Sequence, residues 1–217
     1  MKSRLVNILV LVSMLAVAAA FTVEPVSAQM DAEKVQKFEK MVSYQKQALD
    51  HLKKGQYDLA IAEYTKLLEF APGKAAHWLA MRGNAYQQKK QYDLAIADFT
   101  KSLEINPRDA EVYFFRGRVY YKKEQYDLVI ADASKALELN PRDADAYFLR
   151  SGARVQKGLT DRASYMLVID DLNKALEINP NFALAYWSRG KAYEIIGESA
   201  KSREDLRRAT ALGFRPR

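Results

Sequence analysis

The sequence predicts an all-α chain of helix pairs laid down in tandem, and three observations carry that prediction. One phrase recurs: QYDLAIA stands at 56–62 and at 91–97, and QYDLVIA at 125–131, offsets of 35 and 34 residues. A fixed period in this range marks stacked supersecondary units rather than one closed core. Prolines keep the same beat, with Pro72, Pro107, Pro141 and Pro180 closing KLLEFAP, KSLEINP, KALELNP and KALEINP. Proline lacks an amide hydrogen and pushes the preceding residue out of the α region, so each one marks a helix end. Between the prolines, apolar residues recur at three- and four-residue steps, as in AEVYFFRGRVYYKKE (110–124) and YDLVIADASKALEL (126–139). No stretch sustains the period-two alternation of a strand.

Taken in order, the chain begins with a different material. Lys2 and Arg4 precede an apolar run from Leu5 to Phe21, broken only by Asn7 and Ser13, and Val26-Ser27-Ala28 follows. That pattern is a secretory signal over residues 1–28, cleaved after Ala28, with Ala20 as a second candidate. The run is barely long enough to cross a bilayer, so an uncleaved anchor in the inner membrane is the alternative. Either way the rest of the chain is expected to be exported, to the periplasm or beyond the cell. Residues 29–40 are expected to extend or cap the first helix. Five units follow, at about 41–75, 76–109, 110–143, 144–182 and 183–214, and residues 215–217 end a basic tail.

Two units depart from plain repetition. SYMLVID (164–170) is a fourth copy of the phrase, but Tyr165 stands 39 residues after Tyr126, so five extra residues in GLTDRAS are expected in the loop between the paired helices. The fifth copy, ESAKSRE, has lost its tyrosine and turned polar, as the exposed end of a stack requires. Small residues mark where paired helices cross: Gly83, Gly117 and Gly190, with Ala48 and Ser151 in the equivalent places. A helical glycine costs about 1 kcal/mol relative to alanine, so its recurrence implies close backbone approach.

The recurring W/Y…G…Y…Y…A…A…P arrangement, from about Met41 to Phe214, resembles the tetratricopeptide repeat family. The resemblance implies a right-handed α-solenoid of five helix-turn-helix repeats, the first helix of each lining a concave side. Matching this chain to the family's concave positions implies a partner-binding groove. Its aromatic row would be Phe114, Phe148 and Trp187, and its polar row Asn84, Arg118 and Lys191. Gln87, Gln88, Tyr121, Lys122 and Gln156 would lie beyond these. In similar domains such places hold a peptide, the aromatics taking apolar side chains and the cations a carboxylate. A chaperone-type carboxylate clamp is not implied, because Phe114 stands where a clamp lysine is expected.

A second pair of rows has the repeat period. Arg82, Arg116, Arg150 and Arg189 recur in the first helices, and Glu63, Asp98, Asp132, Asp171 and Asp205 in the second. Two readings are open: a ladder that binds anions, or salt bridges between helices that lock the stack.

Composition narrows the function. The chain has no cysteine and two histidines, His51 and His77, which leaves no disulfide, thiolate nucleophile or multi-histidine metal site. The adjacent acids Asp170-Asp171 and Glu204-Asp205 do not face one another on a helix, so neither pair forms an acid–base site. No catalytic constellation, metal or cofactor is expected, and a wall-hydrolysing enzyme finds no support. The net charge is +7, but residues 29–198 hold 26 bases and 24 acids while residues 199–217 hold six and two. Near-neutral repeats argue against nucleic acid. The basic end is either a solvated helix face or a peripheral contact with anionic lipid. The expected function is a non-enzymatic protein–protein interaction scaffold in the cell envelope. A membrane-anchored structural spacer is the alternative.

Overall fold

The computed structural model describes residues 32–215, and the expected signal (1–28), residues 29–31 and residues 216–217 lie outside the described residues. Among the described residues ten α-helices follow one another: α1 (Ala32–Lys53), α2 (Tyr57–Phe70), α3 (Ala75–Gln88), α4 (Tyr92–Ile105), α5 (Ala110–Lys122), α6 (Tyr126–Leu139), α7 (Ala144–Gln156), α8 (Arg162–Ile178), α9 (Ala183–Ile195) and α10 (Ser199–Ala211). No strand occurs among the described residues. Residues 45–215 form a compact unit of their own.

Within residues 45–215 the helices pair as α3–α4, α5–α6, α7–α8 and α9–α10, and α2 packs on α3. Each packs chiefly on its neighbours in chain order, and alternate first helices, α3 with α5 and α5 with α7, also touch. That is the contact pattern of a solenoid, in which each repeat is stabilised by the next. Small residues set the crossings. A Cβ on Gly83 would stand 2.9 Å from the Phe99 ring, and one on Gly190 would stand 3.1 Å from Leu206. Fully buried Tyr64, Leu67, Trp78, Phe99, Val129, Ile169 and Leu172 fill the space between layers.

The arginine rows form salt bridges. The guanidinium of Arg116 forks onto Asp132 through Nε (2.8 Å) and Nη2 (2.8 Å), and its Nη1 donates to Thr100 of the preceding repeat (3.0 Å). Arg82 repeats this with Asp98 and Thr65, Arg150 with Asp171 and Ser134, and Arg189 with Asp205 and Asn173. Each arginine therefore ties its own second helix to the one before it, which excludes the anion-binding reading of this row. Hydrogen bonds to the aspartates hold Arg82, Arg116 and Arg189 above the ordinary guanidinium range, against the opposing effect of burial. Glu63, the first acid of the series, pairs instead with Lys66 (2.6 Å), because Gln47 stands at the arginine position of the first repeat.

The turns carry a second, exposed set of ties. Lys89 and Lys123 bridge to Asp58 and Asp93, and Lys157 reaches Asp127 at 2.6 Å, each joining one turn to the start of the preceding second helix. The residue after each lysine adopts positive φ: Lys90 (62°), Glu124 (58°) and Gly158 (90°).

The fourth repeat corrects the expectation for its insertion. Only part of it lengthens the loop, which runs over 157–161 where the equivalent loop covers 89–91. The rest lengthens the helix: α8 has 17 residues against 14 in α2, α4 and α6. Asp161 caps the added turn by accepting from the Ser164 amide (2.8 Å) and hydroxyl (2.7 Å), bonds that hold its carboxyl below the usual range. Arg162, thereby placed, donates to the Ile196 carbonyl (2.6 Å) and to Glu198 (2.8 Å) in the next repeat's turn. This bond replaces the lysine–aspartate tie with the charges exchanged, since Met166 stands at the aspartate position.

Candidate functional site

The first helices of repeats three to five, α5, α7 and α9, line a groove of about 800 Å³, floored in part by Tyr165, Val168 and Leu172 of α8. It brings together seven of the residues expected from the sequence: Phe114, Arg118, Tyr121, Phe148, Gln156, Trp187 and Lys191. The other four stand elsewhere. Asn84, Gln87 and Gln88 are on α3, with the Gln87 Oε1 buried and without a hydrogen-bond partner, and Lys122 is exposed at the end of α5.

Rings shape the groove. Phe114 leans on Phe115 (centroids 5.8 Å apart), Phe148 on Phe182 (4.9 Å), and Trp187 on Phe214 (5.4 Å). Phe182 and Phe214 follow the ends of α8 and α10, so the segments after these two helices pack against two groove aromatics. The Arg118 guanidinium lies over the Phe114 ring, 5.8 Å from its centroid, where cation–π attraction holds it against an apolar surface. Lys191 bonds Glu194 one turn on (2.5 Å). Tyr121 packs edge-on to Tyr126 (5.6 Å). Burial and Tyr126 push its hydroxyl above the ordinary phenol range, and a hydrogen bond with Gln156 pulls it back.

Several groove residues were missing from the sequence reading: Asp145, Gly152, Val155, Leu184, Ser188 and Ile195. The signal that finds three of them is register. Gly152 stands where the other repeats carry Asn84, Arg118 and Lys191, and Val155 where they carry Gln87 and Tyr121. Ile195 occupies the place of Gln88, Lys122 and Gln156. A search for polar and aromatic residues passed over them because they are small or aliphatic. Their effect is to add small and aliphatic surface to the concave positions of repeats four and five, beside the charged Lys191.

Other candidates are absorbed elsewhere. Asp171 receives both Arg150 and Arg154, and Asp205 receives Arg189, while Asp170 and Glu204 are exposed, so the adjacent acids form no catalytic pair. His51 bonds Gln56 (2.8 Å). Lys201, Arg207 and Arg208 of the basic end line a shallow cleft over α9 and α10, with Lys201 over the Tyr193 ring and Arg208 over Tyr186. Among the described residues no three His, Asp or Glu side chains converge to hold a metal, and no helix is long and apolar enough to cross a membrane.

Comparison with known proteins agrees with this architecture. Family models for the tetratricopeptide repeat match residues 51–74, 78–109 and 110–143. A crystal structure of MamA protein is 25% identical and superposes with a TM-score of 0.69, covering 80% of this chain and 92% of that one. A second MamA crystal structure gives the same identity and score over 76% of this chain and 93% of that one. MamA from Desulfovibrio magneticus RS-1 (residues 41 to the end) shares the fold, at 20% identity and a TM-score of 0.70, over 80% of this chain and 94% of that one. No curated protein matches the chain by sequence. The helix pairs, their repeat-locked ladder and these likenesses converge: the chain is a tetratricopeptide repeat protein, a right-handed α-solenoid that serves as a scaffold for protein–protein interaction.

Proposed function

We propose that this scaffold is a non-enzymatic adaptor of the cell envelope and that it holds a peptide segment of a partner protein in the groove over repeats three to five. The observation that carries the reading is the row Phe114, Phe148 and Trp187, one ring from the first helix of each of three successive repeats, bordered by Arg118 and Lys191. Aromatic and arginine side chains in a recess are the groups that dominate peptide affinity, because they combine large apolar area with directed donors. Its lining is drawn from three first helices, which matches docking of an extended or helical segment across them. The envelope assignment follows from the signal pattern of residues 1–28.

Two experiments test it. Proteins captured from envelope extracts by the wild type are compared with those captured by Trp187→Ala plus Arg118→Ala. Loss of specific proteins supports the groove, and identical sets overturn it. N-terminal sequencing of the exported protein reports on the leader: a start at Gln29 supports release into the envelope, and an intact N-terminus supports the anchored spacer instead.

A further inference from the structure

We propose that Gly152 floors a recess in this groove that takes one bulky apolar side chain of the partner segment, with a carboxylate of the same segment received by Arg118. The inference rests on the groove reading above and specifies the chemistry that the groove selects.

Gly152 lies in the interior of α7, where glycine is among the poorest of helix formers. Elsewhere in this chain packing explains such a residue. A Cβ on Gly83 or Gly190 would meet a neighbour at 2.9 or 3.1 Å, closer than real Cβ atoms are normally found. At Gly152 a Cβ would meet only Tyr121, at 3.6 Å from Cε2 and 3.7 Å from Oη, which is ordinary van der Waals contact. The protein's own packing leaves room for a side chain that the sequence withholds. What the missing side chain does is open the groove: the row Asn84, Arg118, Gly152, Lys191 has no side chain at its third member, between an arginine and a lysine.

The recess is apolar and unfilled. Phe148, Trp187 and Tyr121 line it together with Val155, Leu184 and Ile195, and those three aliphatic side chains are 41%, 38% and 60% exposed. Aliphatic area of that size facing an indentation is covered most favourably by a large apolar group.

Charge complementarity sets the rest of the partner. Arg82, Arg116, Arg150 and Arg189 each fork onto an aspartate, whereas Arg118 has no carboxylate within 4 Å among the described residues. Lys191, on the other side of Gly152, is engaged by Glu194. Asp145, the remaining acid of the groove, precedes Gly152 by two helical turns, roughly 10 Å along α7. Arg118 therefore offers its planar donors beside the recess, and a carboxylate is the group that fits a guanidinium fork. The occupant is a peptide segment in which a bulky apolar residue lies close to Asp or Glu.

A phage-displayed library of random dodecapeptides, selected on the full chain, tests this, with affinities then measured on synthetic copies. The expected outcome is enrichment of peptides that place Leu, Ile, Phe or Trp near an acidic residue. Gly152→Leu should weaken them by roughly tenfold to a hundredfold, the worth of one buried apolar side chain. Gly152→Ala should raise the melting temperature by about 3 °C, through better helix propensity, while still lowering affinity. Replacing the peptide's acid by its amide should cost about tenfold on the wild type and little on Arg118→Gln. If peptides bind and Trp187→Ala abolishes binding while Gly152→Leu leaves it unchanged, the recess is wrong and the groove reading stands. If neither substitution matters, or no peptide is enriched, both are overturned.

Discussion

Arg82, Arg116, Arg150 and Arg189 do one thing four times, while Asn84, Arg118, Gly152 and Lys191, two residues further along the same helices, do four different things. The first set faces the second helices and obeys the repeat period: each guanidinium forks onto an aspartate and reaches back to a hydroxyl or amide oxygen of the repeat before. The second set belongs to the concave positions, and its members range from an arginine laid over an aromatic ring to no side chain at all. The physical reason is that stacking poses the same problem at every repeat, so one solution is copied. A bound segment differs along its length, so the positions that meet it must differ too. Period-locked positions thus carry stability, and on the groove proposal the period-broken positions carry recognition.

Breaking the ladder should show the larger effect. Asp132→Ala leaves the Arg116 guanidinium half-buried without its carboxylate, and the Asp132 side chain is only 7% exposed. A loss of about 3 kcal/mol is expected by urea denaturation. Arg116→Met combined with Asp132→Leu should recover most of it. Arg118→Ala, by contrast, should stay within about 0.5 kcal/mol of wild type, since it removes no internal carboxylate pair.

Alkaline titration probes the interior in another way. Burial raises the Tyr64 hydroxyl to about 12, above its ordinary value, and the hydroxyl has no hydrogen-bond partner. The folded protein then holds a proton that the unfolded chain gives up near pH 10, so stability is full below that pH and falls as pH rises toward 12. The loss is about 2 kcal/mol over that window. Tyr64→Phe should flatten this decline and leave stability at pH 7 unchanged or slightly higher.

Glycines give a test of opposite sign on the two faces. Gly83→Ala drives a methyl into the Phe99 ring and should destabilise by about 1 kcal/mol, after its gain in helix propensity is subtracted. Gly152→Ala meets no such neighbour and should stabilise by up to about 1 kcal/mol. Equal signs for the two variants would break the distinction drawn between the faces. Smallest of all is the exchanged tie at the fourth turn. Arg162→Ala removes an exposed bridge to Glu198 and should leave global stability nearly unchanged, its effect visible as earlier fraying of α10 in hydrogen exchange.

The insertion shows where reading the sequence reached its limit. Five extra residues after the seventh helix are plain from the spacing of Tyr126 and Tyr165, and a longer loop is the simplest reading. Whether they lengthen loop or helix depends on Asp161 capping at Ser164. The use of the added turn depends on Ile196 and Glu198, which lie 34 and 36 residues further on. No local pattern announces a contact at that separation. The groove was half legible for a related reason. Its aromatic row follows from register, but Gly152, Val155 and Ile195 carry no chemical signal of their own and matter only through what surrounds them.

The sequence by itself determined the period, the all-α pairing and the two charged rows, because each follows from spacing within one repeat and is restated in the next, while the structure decided that the rows pair with one another. Only the tertiary structure decided which repeats pool their concave residues. The groove gathers α5, α7 and α9 and leaves out α3, although Asn84, Gln87 and Gln88 hold the same register. Register places a side chain on a face. Stacking of successive repeats, set by how closely small residues such as Gly83 and Gly190 let helices approach, determines which faces converge around one space.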